Sequence, residues 1–402
     1  LGGGTYINGG LVWRTPDIVL EKWNGLFNTN IFNKKNLDIY FEEIEKKLEI
    51  NQIINDEYEN KESLKLLEIG KKNNIKVAKV PNSINSSLED NKLILGAAGN
   101  AKNSILQRYI HASEKKGLKV ITGCKALKIL TDKNMVKSVK VKFNNEINHI
   151  KPKNLILACG ATQTPMLLKK SFGNSFLNSE LNTHLNLRIG AKFSEKMQNI
   201  NGVMFSRQIQ EYLDDGVLIM PTSFNKNNFF SSLTKMDNKD LNLIEKNIEN
   251  YTSFIIQLSS TNKVKLNNFL GNTILTYNLN NLDLIKLKKY FLIFCNSLFD
   301  VGAEKIYLPF KKNFLIEKKD NLKEFLDKFL VSKNLEMVSV HGMSSAKMGI
   351  QKSNENVFDL YGKSFDFQNL LCVDSSILPS STIESPQGTI MAIANFIMEN
   401  NT

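Results

Sequence analysis

Cysteine, histidine, tryptophan and proline are all scarce in this chain. Its 402 residues hold four cysteines, four histidines, two tryptophans and eight prolines. The cysteines stand far apart, at 124, 159, 295 and 372, each inside an apolar or mixed segment. No CxxC pair and no His/Cys spacing suggests a metal, and a disulfide framework does not suit a chain of this length. They read as small buried hydrophobes. Long apolar runs are missing as well. The best candidate, YFLIFCNSLF at 290–299, falls short of the ~18 residues of a membrane span. No secretory leader is legible, but LGGGTYINGG opens without methionine, so a start upstream is expected and the cellular location stays open.

Charge is abundant but unfocused. The formal net charge is +12 and the pI is near 9.2, a balance that invites a nucleic-acid reading. The lysines, however, are spread among asparagines and acidic residues in stretches such as NIFNKKN and EKKDNLKEF. No arginine-rich stripe or stacking aromatic motif accompanies them. Net charge of this kind bears on solubility rather than fold, so no nucleic-acid partner is expected. The length predicts two domains or one large discontinuous one.

Texture along the chain supports two interleaved parts. IVLEKW and LDIYFEEIEKKLEI carry helical spacing between about 17 and 67, and Pro81–Asn91 is polar and loop-like. NSILQRYIHASEKKG reads as a helix stopped by Gly117. LKVITGCKALKIL reads as strand, turn and strand, and SVKVKF with INHI as a hairpin. NLILACG is a short strand running through a glycine into the helix ATQTPMLLKKS, the shape of a nucleotide-binding crossover. From about 189 to 312, VLIMPTSF, YTSFIIQLSS, KVKLNN and TILTYNL alternate like antiparallel strands, then lead into a helix from Asp283 to Gly302. NLLCVDSSILP closes the chain as a buried strand, followed by a helix entered through Pro386.

VSVHGMSSAKMG, at 338–349, places His341 after a strand-like run and before small residues. It resembles the H-x-M-[GS]-[ST]-x-x-M-G motif of the glucose–methanol–choline (GMC) flavin oxidoreductases. LGGGTYINGGLVWR resembles that family's GG-x-[ST]-x-x-N-G-G segment, and NLLCVDSSILPSSTIESPQGTIMAIAN its closing block. TGCKALKIL and LILACGATQTP fall where the family has its adenine-side strand and its A-x-G-A-x-x-[ST]-P turn. The five blocks occur in the family's order, with the WRTP opening most like the long-chain alcohol oxidase and polyol dehydrogenase branches.

The resemblance implies an α/β (α+β overall) protein. A Rossmann-like three-layer FAD-binding domain would comprise 1–23, 93–188 and 335–402. A helical connecting or lid segment would span 24–92, and an antiparallel substrate-binding sheet with helices 189–334. It also implies an N-terminal G-x-G-x-x-G strand, which this sequence does not show, so a fragment beginning inside the FAD domain is expected.

Carried over by position, His341 would be the catalytic base in oxidising a small-molecule alcohol or polyol, with hydride passing to FAD. Neutral imidazole suits that role. Ser385 stands where the family has a second His or Asn, and a hydroxyl can still make one hydrogen bond there. Glu384 beside it reads as a solvent-facing loop carboxylate. Thr5, Asn8, Gly9, Gly10 and Leu11 would line the flavin, and Ala126 would meet the adenine side. Asp374 and Ser375 would approach the pyrophosphate, and Pro386 to Thr389 the flavin carbonyls, with helix-terminal N–H groups favouring negative charge. His184 matches a family histidine to which a structural role is given. His111 and His149 receive none.

The electron acceptor, whether oxygen, a quinone or a cytochrome, is not legible. Three alternatives stand beside the oxidoreductase. An FAD-containing lyase of the same fold would bind flavin that no alcohol reduces. A serine hydrolase built on Ser385 and His341 would need the G-x-S-x-G elbow, which is missing. A basic nucleic-acid-binding protein would show steep salt dependence.

Overall fold

The helical spacing near the N-terminus becomes α1 (Asp17–Phe27) and α2 (Lys34–Lys47). Asn28 ends α1 in the left-handed region, and the Asn33 side chain accepts the Asn36 N–H to cap α2. These elements belong to a computed structural model that describes residues 1–52, 59–84, 102–178, 180–197, 205–222, 242, 244–269, 272–312 and 315–401. Most of the loop expected at Pro81–Asn91 lies outside the described residues. The buried faces of α1 and α2, with Trp23, Leu37, Phe41 and Ile44, join a first hydrophobic core. α3 (Lys61–Asn73) sends Leu66 and Ile69 into a second.

After the short strand β1 (Val77–Lys79), the chain forms the antiparallel ladder β2 (Lys125–Asp132), β3 (Met135–Phe143) and β4 (Glu146–Ile150). The strand expected at LKVI does not form. Leu118 and Ile121 lie exposed, and without a pairing partner an apolar run gains nothing from extension. β5 (Leu155–Leu157) enters α4 (Gly160–Phe172) through Gly160 at a φ of 80°, a left-handed turn that favours glycine.

β6 (Glu180–Phe193) is the spine of the larger sheet. β7 (Arg207–Ile209), β8 (Val217–Pro221) and β9 (Tyr251–Ser259) continue it antiparallel, in the order β6–β9–β8–β7–β1. The hairpin of β10 (Val264–Phe269) and β11 (Asn272–Thr276) joins β6 at its start. α5 (Asn281–Asp300), capped by Asn280 and followed by Gly302 at positive φ, packs on the sheet. β12 (Ala303–Tyr307) then pairs with the far end of β6.

Strand alternation sorts the residues of β6. Leu185, Leu187, Ile189, Ala191 and Phe193 enter the second core with Phe254, Ile256 and Leu258 of β9 and Phe291, Phe294 and Leu298 of α5. His184, Asn186 and Arg188 therefore point the other way.

The chain closes with β13 (Gly342–Met343), β14 (Leu370–Cys372) and α6 (Gln387–Glu399). β14 runs parallel to β5, residue for residue from Leu370–Leu155 to Cys372–Leu157. Parallel pairing of β5 and β14 beside antiparallel sheets gives the mixed architecture expected of an FAD-binding domain with an antiparallel substrate-binding sheet.

Trp23 fastens α1 to the closing segment. It is fully buried, meets Phe32 edge-on at 5.6 Å, and donates its indole N–H to Ser380 Oγ at 2.8 Å. Trp23→Ala is expected to lower unfolding free energy by about 3–5 kcal/mol, read as a shifted midpoint in urea denaturation.

Candidate active site

β13 pairs antiparallel with Asn182 and Thr183 of β6, and this lays His341 beside His184. The two rings stand perpendicular, 5.1 Å apart between centroids, with Nδ1 facing Nδ1 at 3.0 Å. His184 Nε2 lies 2.8 Å from Ser381 Oγ, and Ser381 shares a further hydrogen bond with Ser259. The Thr183 hydroxyl donates to the His341 carbonyl at 2.8 Å. Four segments remote in sequence thus fix one imidazole.

His341 precedes its strand rather than ending one. Val338 makes a lone bridge to Asn186, Ser339 shares a side-chain hydrogen bond with Thr183, and both Ser339 and Val340 stay exposed. The small residues after His341 pack against protein rather than leaving space for ligand. Ser345 Oγ donates to the Ala161 carbonyl at 2.6 Å, and the N–H groups of Ser344 and Ala346 donate to the carbonyls of Ser375 and Ser376.

Both rings are held neutral. His341 remains half-exposed, yet its ring sits deeply enough for burial to pull its pKa down to about 4. Burial first, and the neighbouring ring second, push His184 well below the usual imidazole range. His341 also borders a cleft of about 380 Å³ walled by Leu181, Leu185, Val264 and Met337. That cleft opens on the side of β6 opposite His184.

The loop before α6 differs from expectation at Glu384. Its side chain is buried at 2% exposure, clamped by Gln208 Nε2 at 2.8 and 2.9 Å and by Gln210 Nε2 at 2.9 Å. Burial raises its pKa to about 7, against the lowering effect of the two amides. The loop is drawn under the sheet because Gln257 Nε2 donates to the Ile383 carbonyl at 2.7 Å. Ser385 follows, half-buried, and among the described residues no hydrogen bond joins it to His341.

The expected cofactor residues gather from both chain ends. Asn8 donates its amide to the Gln387 side chain at the start of α6, and Asn8 Oδ1 accepts the Gly10 N–H at 3.1 Å. Thr5 Oγ1 donates to the Gly2 carbonyl at 2.6 Å, while Leu11 is buried against Val80, Leu218 and Met220. Gly9 is packed so closely on Phe205 that an added Cβ would come within 2.8 Å of the ring. Gly388 in α6 lies as tightly on the Trp13 carbonyl. The buried Thr389 hydroxyl shares a 2.8 Å hydrogen bond with Thr15, and Pro386 caps the helix.

Lys102 holds the N-terminal segment by donating to the carbonyls of Tyr6 at 2.9 Å and Asn8 at 2.7 Å. Asp374 ties the crossover to the closing strand. Its carboxylate accepts from Gly160 N at 2.9 Å, Thr164 Oγ1 at 2.5 Å and Ser376 N at 2.8 Å. Ser375 is buried beside it, and Ala126 sits exposed at the edge of β2.

A flavin dinucleotide fits these features. Gly3, Gly4 and Gly160 have no protein atom within 4 Å of where a side chain would stand, so backbone is open to a ligand there. The first N–H groups of α6 lie beside Asn8, where carbonyl oxygens of a planar ring would find donors. Among the described residues no cluster of His, Cys, Asp or Glu could hold a metal, and no helix is long and apolar enough to cross a membrane.

Sequence reasoning had not marked Ser381, Ser259, Gln208, Gln210 or Lys102. Only the alternation of LNTHLNLR could have placed His184 on the site face. Glu384 yields a signed expectation. Its raised pKa favours the folded state below about pH 4.5, and that advantage is lost as pH rises through about 7. Glu384→Gln is expected to be more stable than the parent at pH 8 by about 2–3 kcal/mol, with the difference vanishing near pH 4 in urea melts.

The GMC oxidoreductase family models match residues 1–188 and 275–394. An uncharacterized GMC-type oxidoreductase of Sinorhizobium fredii is 22% identical over 409 residues, covering 99% of this chain and 79% of the relative. A long-chain-alcohol oxidase of Arabidopsis thaliana is 23% identical over 427 residues, covering 98% of this chain and 57% of the relative. A solved formate oxidase variant from Aspergillus oryzae, studied for FAD modification, superposes with a TM-score of 0.75 at 12% identity. It covers 100% of this chain and 84% of that one, a likeness in fold. The chain belongs to the GMC oxidoreductase family, and it is an FAD-dependent flavoprotein oxidoreductase.

Proposed function

We propose that this protein oxidises the CH–OH group of a small-molecule alcohol, with His341 as the base. The observation that supports this best is the 3.0 Å contact between two imidazoles that burial keeps neutral. A neutral ring with one nitrogen occupied has its other nitrogen free to take a proton.

The contacts are compatible with the tautomers such a base requires. His341 carries its proton on Nδ1 and donates it to His184 Nδ1, leaving Nε2 with a lone pair. His184 then carries its proton on Nε2 and donates it to Ser381 Oγ. When His341 Nε2 accepts the hydroxyl proton, the new charge is held by a hydrogen bond already in place. His184 is thus a positioning residue, and it occupies the orienting role that other catalytic imidazoles give to a carboxylate.

Thr5, Asn8, Gly9, Gly10 and Leu11 would hold the flavin from one side, and Pro386 to Thr389 from the other. Ala126, Asp374 and Ser375 would flank its nucleotide end, Asp374 by fixing the Gly160 turn. When bound, FAD supplies the acceptor for the hydride leaving the carbinol carbon. Ser385, next to the buried Glu384, would offer one hydrogen bond to the substrate oxygen.

His341→Ala in the flavin-loaded protein is expected to slow anaerobic flavin reduction by alcohol on the order of 10²–10⁴-fold, measured by stopped-flow absorbance. Ser385→Ala should cost less than about tenfold, the scale of one neutral hydrogen bond. A positioning role for His184 predicts that His184→Asn, whose amide oxygen can still accept the Nδ1–H, retains more activity than His184→Ala. Equal rates in those two variants would leave His184 a packing residue. A bound flavin that no alcohol reduces would point instead to a lyase of the same fold.

A further inference from the structure

β6 carries more than His184 on its site face. Residues directly opposite each other in an antiparallel ladder share a side, and β6 pairs His184 with Ser259, Asn186 with Gln257 and Arg188 with Ile255 without a break in register. Each partner on β9 reports where that side looks. Ser259 meets Ser381, Gln257 holds the Ile383 carbonyl, and Ile255 packs with the cluster of Leu11, Val80, Leu218 and Met220. Asn186 and Arg188 therefore extend the histidine's face along the closing loop and the N-terminal segment.

Arg188 is unlike the other arginines. Arg14 is held by Asp38 and Glu45, Arg108 by Glu49, and buried Arg207 by Glu59 through two hydrogen bonds of 2.6 and 2.8 Å. Arg188 is half-buried, and among the described residues it has neither hydrogen bond nor ion pair. Burial alone acts on its guanidinium, with no carboxylate to offset the lost hydration. Asn186 Oδ1, buried between Arg188 and His184 on the strand, also has no partner among the described residues. A planar five-donor fork and an acceptor lie unsatisfied on the face of the proposed base.

We propose that Arg188 is the anion-binding end of the substrate site, and that the substrate is an alcohol bearing a carboxylate remote from its hydroxyl. This rests on reading His341 as the base. Four residues of strand place Arg188 ~13 Å from His184 along the backbone, at about 3.3 Å per residue. A 2-hydroxy acid is too short to span that interval, whereas a linear ω-hydroxy acid of medium length reaches it. The guanidinium would grip the carboxylate through two parallel hydrogen bonds. The cleft on the opposite side of β6 has no cation among its walls, so it offers a carboxylate nothing comparable.

Two readouts on the flavin-loaded protein test this. Calorimetry with decanedioate, which has no hydroxyl to oxidise, should show binding that weakens about 10–100-fold in Arg188→Gln and less in Arg188→Lys. In anaerobic flavin reduction, ω-hydroxydecanoate should be preferred over decanol and 2-hydroxydecanoate. Arg188→Gln should raise the KM for the ω-hydroxy acid about 10–100-fold, well beyond any change in the KM for decanol. Decanedioate that fails to bind, or binds equally to Arg188→Gln, would overturn the proposal, as would equal use of ω-hydroxydecanoate and decanol. Arg188-dependent binding with no flavin reduction by any alcohol would uphold the anion site and remove the oxidation reading instead.

Discussion

The two-residue period of one long strand governs this structure. β6 runs 14 residues through the middle of the molecule, and every side chain on it must choose between an apolar core and the opposite face. Leucine, isoleucine and phenylalanine at odd positions drive one face into the helices behind. That burial fixes the register, and the register then delivers His184, Asn186 and Arg188 to the site. A slip of one residue would turn all three polar groups into the apolar core and the core set onto the site face. Hydrophobic burial therefore positions the polar chemistry without touching it.

Desolvation sets the character of what is delivered. Two imidazoles meet in a place where a charged ring is costly, so both stay neutral and the hydrogen bond between them orders their protons. Glu384 responds to the same environment in the opposite direction, because burial disfavours its anion as it disfavours the imidazolium. Burial thus lowers the pKa of the two imidazoles and raises that of Glu384. Their contributions to the pH dependence of stability oppose one another, the histidines favouring higher pH and Glu384 lower.

The segments that gather around this face come from both ends of the sequence. Asn8 reaches Gln387, Thr15 meets Thr389, and Trp23 bonds to Ser380, so the closing loop is held at three points by the first quarter of the chain. Gln208, Gln210 and Gln257 hold it from the sheet. A loop pinned this densely keeps its Ser381 and Ser385 in place relative to His341.

Much of this was written in the sequence. Glycines near the N-terminus, the left-handed Gly160 turn, the caps of α2 and α5 and the small-residue start of α6 are local devices, and local patterns reveal them because they depend on neighbours in the chain. The motif spacing also picked out His341 and the family. Other features could not be read this way. Among the described residues LKVI had strand composition but met no strand to pair with, and Glu384 looked like an ordinary loop carboxylate until Gln208 and Gln210 covered it. The partnership of His184 and His341 joins residues 157 positions apart, and the isolation of the Arg188 guanidinium is a statement about every carboxylate of the described residues. Composition and period determined which elements form and which side of each is apolar. Only tertiary packing decided which polar groups meet, because burial and pairing are properties of the space between segments.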